Sequence, residues 1–120
     1  MPQITVEYSA ALDDAFERRA FALAVHTTAG ALIDSDPDSF KTRFHRIEEG
    51  VIGDGAAAHA MIHVEVAILP GRSEETRRLL GQTVLDLAVR HRKDVAELTV
   101  QTTVEVRELT AGHYHKQVSP

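Results

Sequence analysis

Hydrophobic and polar residues alternate at the start of the chain. Over residues 3–9, Ile4, Val6 and Tyr8 fall on one side and Gln3, Thr5, Glu7 and Ser9 on the other. Period two is the signature of a half-buried strand. From residue 12 to about 28 the period lengthens, with Leu12, Phe16, Ala20, Leu23 and Ala24 at helical spacing. Asp13 and Asp14 then belong to a first turn, where carboxylates favour the helix dipole, and Gly30 stands near the end. Asp34-Ser35-Asp36-Pro37-Asp38 reads as a loop. Residues 40 to about 48 predict a second strand, with Phe40 and Phe44 on one face and Lys41, Arg43 and His45 on the other.

After a small-residue connector with Gly53-Asp54-Gly55 as its turn signal, the pattern starts again. Residues 60–69 predict a strand with Ile62, Val64, Val66 and Ile68 on one face and His63 and Glu65 on the other. Residues 73 to about 92 predict a helix with Leu80, Val84, Leu87 and Ala88 on its apolar stripe. Residues 98–107 predict a last strand, with Val100, Val104 and Val106 opposite Thr99, Gln101, Thr103, Glu105 and Arg107. A shift of about 58 positions sets Ile4 on Ile62, Val6 on Val64 and Glu7 on Glu65. The chain therefore reads as two strand–helix–strand units, residues 2–49 and 60–107. The fold class that follows is a two-layer α/β sandwich (α+β): a four-stranded mixed sheet with two helices on one face. Its other sheet face is polar yet poor in Lys, and suits either water or the inside of an oligomer.

Composition narrows the function. A chain of 120 residues is one domain, residues 1–120, by the usual size prior. The absence of cysteine excludes disulfides, thiolate nucleophiles and Cys-ligated zinc, and fits a reducing, cytoplasmic setting. The start has no basic region followed by an apolar stretch, so no signal peptide is expected. No apolar run approaches the ~20 residues of a membrane span. A net charge of −5 with interspersed signs argues against nucleic acid as a partner. An anionic substrate would then need a local cluster of Arg and Lys to hold it.

Two sites carry chemistry. If Met1 is removed, Pro2 becomes an N-terminal secondary amine. An apolar pocket or a nearby cation lowers the pKa of such an amine towards neutrality, where a general base works best. The second site is Leu69-Pro70-Gly71-Arg72-Ser73-Glu74-Glu75. A strand ends there, Pro-Gly turns the chain, and Ser73 caps the next helix. Helix N-termini attract anions, and the Arg72 guanidinium at that junction can grip a carboxylate with two hydrogen bonds. Taken alone, Pro2 reads more readily as a chance proline and Arg72 as a solvated turn residue.

Taken together, the fragments resemble a known family. Pro2 with Val6-Glu7-Tyr8-Ser9, Arg43-Phe44-His45, His63, Gly71-Arg72-Ser73-Glu74-Glu75-Thr76-Arg77, Glu108-Leu109 and Lys116-Gln117 are similar to the 5-carboxymethyl-2-hydroxymuconate isomerase family of the tautomerase superfamily. The resemblance runs from Pro2 to about Gln117. It implies two βαβ units, a homotrimer, and Pro2 as the catalytic base after loss of Met1. Arg72 then matches the arginine that binds and polarises the substrate, a small anionic enol or keto acid. The family's other functional arginine falls at Lys41, which offers a point charge in place of a planar fork. Arg43, two residues along the same strand face, is a further substrate-binding candidate. The implied reaction is a proton shift in a 2-hydroxymuconate-type carboxylate, as in aromatic catabolism, with no metal or organic cofactor.

The remaining candidates read as structural. His59 and His63 lie at a strand start, where a spacing of four does not align them. His113 and His115 form only a pair, and metal sites need three or four convergent ligands. His45 and His63 suggest hydrogen bonding on the polar sheet face. Arg18-Arg19 and Arg77-Arg78 read as solvated helix surface. The alternative class is a non-catalytic ferredoxin-like binding or regulatory module, which uses the same element order.

Overall fold

The computed structural model describes residues 1–120. Strand β1 (Gln3–Ser9) is followed by a 3-10 turn at Ala10–Leu12 and by helix α1 (Arg18–Ile33). Strands β2 (Lys41–Ile47) and β3 (His59–Ile68), helix α2 (Glu74–Arg90) and strand β4 (Thr99–Glu108) complete the frame. The sheet order is β2-β1-β3-β4. β1 runs parallel to β2, β3 runs parallel to β4, and the central pair β1 and β3 is antiparallel. The expected fold class, four mixed strands and two helices, is the one observed. No helix is long and apolar enough to cross a membrane.

The alternation read from the sequence produces the core directly. Ile4, Val6, Ile62, Val64 and Val66 are fully buried against Phe21 and Val25 of α1 and Leu80 and Val84 of α2. Their neighbours Thr5, Glu7, His63 and Glu65 stand on the opposite face, because successive side chains of a strand point to opposite sides. α2 starts where the sequence places it. The Ser73 hydroxyl accepts the Thr76 N–H at 3.1 Å, and Glu74 and Glu75 occupy the first turn.

α1 departs from the expectation. It starts at Arg18, not near residue 12, and its buried stripe is Phe21, Val25, Ala29, Gly30 and Ile33. Leu23 is exposed, and Asp13 and Asp14 precede the helix. The cause is long-range pairing. The Glu17 N–H donates to the His91 carbonyl at 2.8 Å, and the Lys93 N–H donates to the Ala15 carbonyl at 2.9 Å. Residues 15–17 are thus pinned by an isolated bridge to the end of α2, with Phe16 buried beside Tyr8 and Phe21. Gly30 is likewise not the helix end. It is buried inside α1, and its carbonyl accepts from Asp34 and Ser35, with Asp34 left-handed at φ 54°. A Cβ at Gly30 would lie 2.8 Å from the Ser35 carbonyl oxygen.

Candidate active site

The register of the sheet gathers one end of every element. Because β1 and β3 are antiparallel, the start of β1 lies beside the end of β3, the start of β2 and the end of β4. Pro2 enters this end buried, and its carbonyl accepts the Lys41 N–H at 3.1 Å. Lys41 leads β2 beside it and donates its ammonium to the Ser39 carbonyl at 2.8 Å.

Arg72 reaches the same end from the turn after β3. Gly71 sits at φ 126°, a backbone conformation that side chains with a Cβ rarely adopt. The turn sends Arg72 back across the top of α1, where one guanidinium nitrogen donates to the Ile33 carbonyl at 2.9 Å. That contact satisfies a carbonyl at the helix C-terminus and fixes the guanidinium.

Arg77 holds the turn from below. It donates to the Arg72 carbonyl at 2.6 Å and to Glu74 at 2.9 Å, and approaches Glu108 at 3.5 Å. It is therefore a brace between α2, the turn and β4, not the solvated surface expected from sequence. Arg18 is also engaged: it pairs with Asp13 at 3.2 Å and lies 4.8 Å from the centre of the Tyr8 ring.

Electrostatics single out the amine at this end. The Met1 amine, one residue before Pro2, is lowered from 8.0 to about 6. Burial is the largest cause, followed by the cations of Lys41, Lys116 and Arg72, with Asp36 opposing. None of the three cations forms an ion pair within the chain. A set of unpaired cations beside a depressed amine is suited to hold a carboxylate while a neutral nitrogen takes a proton.

The sequence candidates thus divide. Pro2, Arg72 and Lys41 share one end of the sheet. Arg43 is turned along the polar face, donating to the Gln3 amide oxygen and, at 3.5 Å, to the Thr5 hydroxyl. Lys116 was not singled out by spacing or periodicity. Its only sequence signal is its place in the Lys116-Gln117 fragment, because a fold-back of the C-terminal segment brings it here. His63 donates to or accepts from Thr103 at 2.7 Å, the hydrogen-bonding role expected of it. No three His, Cys, Asp or Glu side chains cluster as a metal site. A separate cavity of about 280 Å³, lined in part by Ser9, Ile47, His59 and Met61, lies at the far end of the sheet, away from the amine.

Comparison with known proteins gives the family and the fold. The family model for 5-carboxymethyl-2-hydroxymuconate isomerase matches residues 2–119. The crystal structure of a 5-carboxymethyl-2-hydroxymuconate isomerase from Deinococcus radiodurans R1 superposes with a TM-score of 0.85 at 21% identity, covering 98% of this chain and 90% of that one. A 5-carboxymethyl-2-hydroxymuconate delta-isomerase gives 0.69 at 17% identity, covering 99% and 89%. A fused 4-OT symmetric trimer gives 0.70 at 14% identity, covering 96% and 93%. Comparison with curated proteins gives no match.

Proposed function

The chain belongs to the 5-carboxymethyl-2-hydroxymuconate isomerase family and is an isomerase, and we propose that it shifts a proton in an enol or 2-hydroxymuconate-type carboxylate with the Pro2 nitrogen as general base. Loss of Met1 exposes that nitrogen. The observation that carries the reading is the convergence of Lys41, Arg72 and Lys116 on the Met1 amine, one residue before Pro2, whose pKa burial and those cations depress.

The chemistry follows from the groups present. Substrate carboxylate lies against Arg72 and Lys41. The neutral Pro2 nitrogen takes a proton from the enol hydroxyl, and the electron pair moves into the conjugated chain. The cations hold the negative charge that develops, and such preorganised charge is usually the largest single contribution to catalysis. Protonated Pro2 then delivers the proton to a different carbon. Arg43 orients Gln3 beside the base. Family membership makes the ferredoxin-like module reading unnecessary.

The same reading includes a homotrimer. It is supported by the exposed alternate residues of β2 and β4 on the polar sheet face and by the symmetric trimer of the fused 4-OT protein that this chain resembles in fold. The test is tautomerisation of 2-hydroxymuconate and phenylenolpyruvate, followed by ultraviolet absorbance on protein whose mass shows loss of Met1. Light scattering on the same sample reads the assembly. Conversion with a trimer mass supports the proposal. No conversion of either substrate by fully trimmed protein overturns it.

A further inference from the structure

We propose that Lys116 is a third substrate-binding cation of the amine site, and that it takes the second carboxylate of a dicarboxylic substrate. This rests on the proposed function, because it assigns a role at the same site.

The carrying observation is how the C-terminal segment is fastened. The Leu109 N–H donates to the Ile68 carbonyl at 2.7 Å, continuing the pairing of β4 onto β3. A 3-10 turn at Ala111–His113 follows. The Tyr114 hydroxyl then accepts the Gln3 amide N–H at 3.1 Å. Gln3 directly follows Pro2, and its amide oxygen accepts from Arg43. Both ends of that amide are engaged, so its orientation is fixed. The segment is thus tied at two points to the amine end of the sheet. Lys116 follows the second tie by two residues, a chain length of at most ~7 Å. A cavity of about 280 Å³, lined in part by Arg107, Leu109, His113 and Tyr114, remains beside this segment.

Charge identifies the ligand class. The groups facing the amine are Lys41 from β2, Arg72 from the turn before α2, Lys116 from the C-terminal segment and Asp36 from the loop after α1. Three cations against one carboxylate leave two positive charges uncompensated when the amine is neutral. A dicarboxylate supplies both, whereas a monocarboxylate supplies one. Lys116 is exposed and has no carboxylate partner within the chain, so nothing internal competes for it.

The test uses acylation of the N-terminal amine by acetic anhydride, located by peptide mass, in trimmed protein. Protection by (E,E)-muconate is compared with protection by sorbate, which differs by lacking the second carboxylate. Muconate should protect at concentrations about tenfold or more below sorbate, the size expected of one charged contact. Lys116→Gln should remove that advantage and move the pH midpoint of acylation upward. Lys116→Arg should restore the preference, and Tyr114→Phe should weaken it by releasing the segment. Equal protection by the two ligands in the unmodified protein, or an unchanged muconate advantage in Lys116→Gln, overturns the assignment. Protection does not require turnover. A protein that shows the Lys116 effect yet converts no dienol contradicts the proposed reaction and not this assignment, and the reverse pattern does the opposite.

Discussion

Replacing Arg72 with alanine removes two interactions that separate experimentally. The first is the 2.9 Å hydrogen bond to the Ile33 carbonyl. Arg72 is half-buried and Ile33 closes α1, so water reaches part of the vacated space. The stability loss should sit near the ordinary range for one hydrogen bond, about 0.5–1.5 kcal/mol. The second is the cation facing the amine and the substrate carboxylate. A hydrogen bond to a charged group contributes about 1.5–3 kcal/mol, which corresponds to a fall in kcat/KM of roughly ten- to 150-fold. Arg72→Lys keeps the charge and loses the fork, so it should fall between the two. Urea denaturation reads the first effect, and initial rates with a 2-hydroxymuconate dienol read the second. A stability loss with kcat/KM unchanged would reduce Arg72 to a cap on α1 and refute the substrate role.

Three further outcomes follow from the same geometry. Arg77→Met should raise KM more than it lowers kcat, since it frees the Arg72 carbonyl held at 2.6 Å without touching substrate; unchanged kinetics would show that the turn holds itself. Gly30→Ala should destabilise the protein, although alanine gains ~1 kcal/mol of helix propensity. The new methyl meets backbone at 2.8 Å, and overpacking costs about 1–3 kcal/mol; a raised urea midpoint would contradict the packing. The pH profile of kcat/KM should rise about tenfold per unit on its acid limb and level off below the ~8 of an ordinary α-amino group. The sign follows because only the neutral amine accepts a proton, and burial and the three cations favour that form, as they do for the Met1 amine at about 6. A limb at or above 8 would mean that these groups do not act on the base.

Much of the fold was readable because the strands obey period two so strictly. Ile4, Val6, Ile62, Val64 and Val66 announce the buried face, and Ser73 announces the start of α2. α1 was misplaced because residues 15–17 bond to His91 and Lys93 across the molecule. No local window contains that pairing. Leu12 and Phe16 are indeed buried, but from a 3-10 turn and an isolated bridge that precede the helix, not from a helical stripe. The site divides in the same way. Pro2 and Arg72 stand out as candidates from local chemistry alone, an amine exposed if Met1 is lost and a Gly-Arg-Ser turn at a helix start. Lys116 was not, since its place depends on a hydrogen bond between Tyr114 and Gln3, residues 111 positions apart. Arg77 and Arg18 looked like solvent-facing charge because sequence does not show which carbonyls and rings lie beneath a helix surface.

The most direct test of the central claim is the activity of protein in which Met1 is retained, compared with the trimmed form, each proven by intact mass. Retention turns the Pro2 nitrogen into an amide, which has no basicity, while Arg72, Lys41 and the rest of the sheet end stay in place. The account predicts that the retained form loses about 10²–10⁴-fold in turnover, the span of a general base, and that enzymatic removal of Met1 restores it. Full activity in the Met1-retaining protein would contradict the account, because an acylated nitrogen cannot accept the proton.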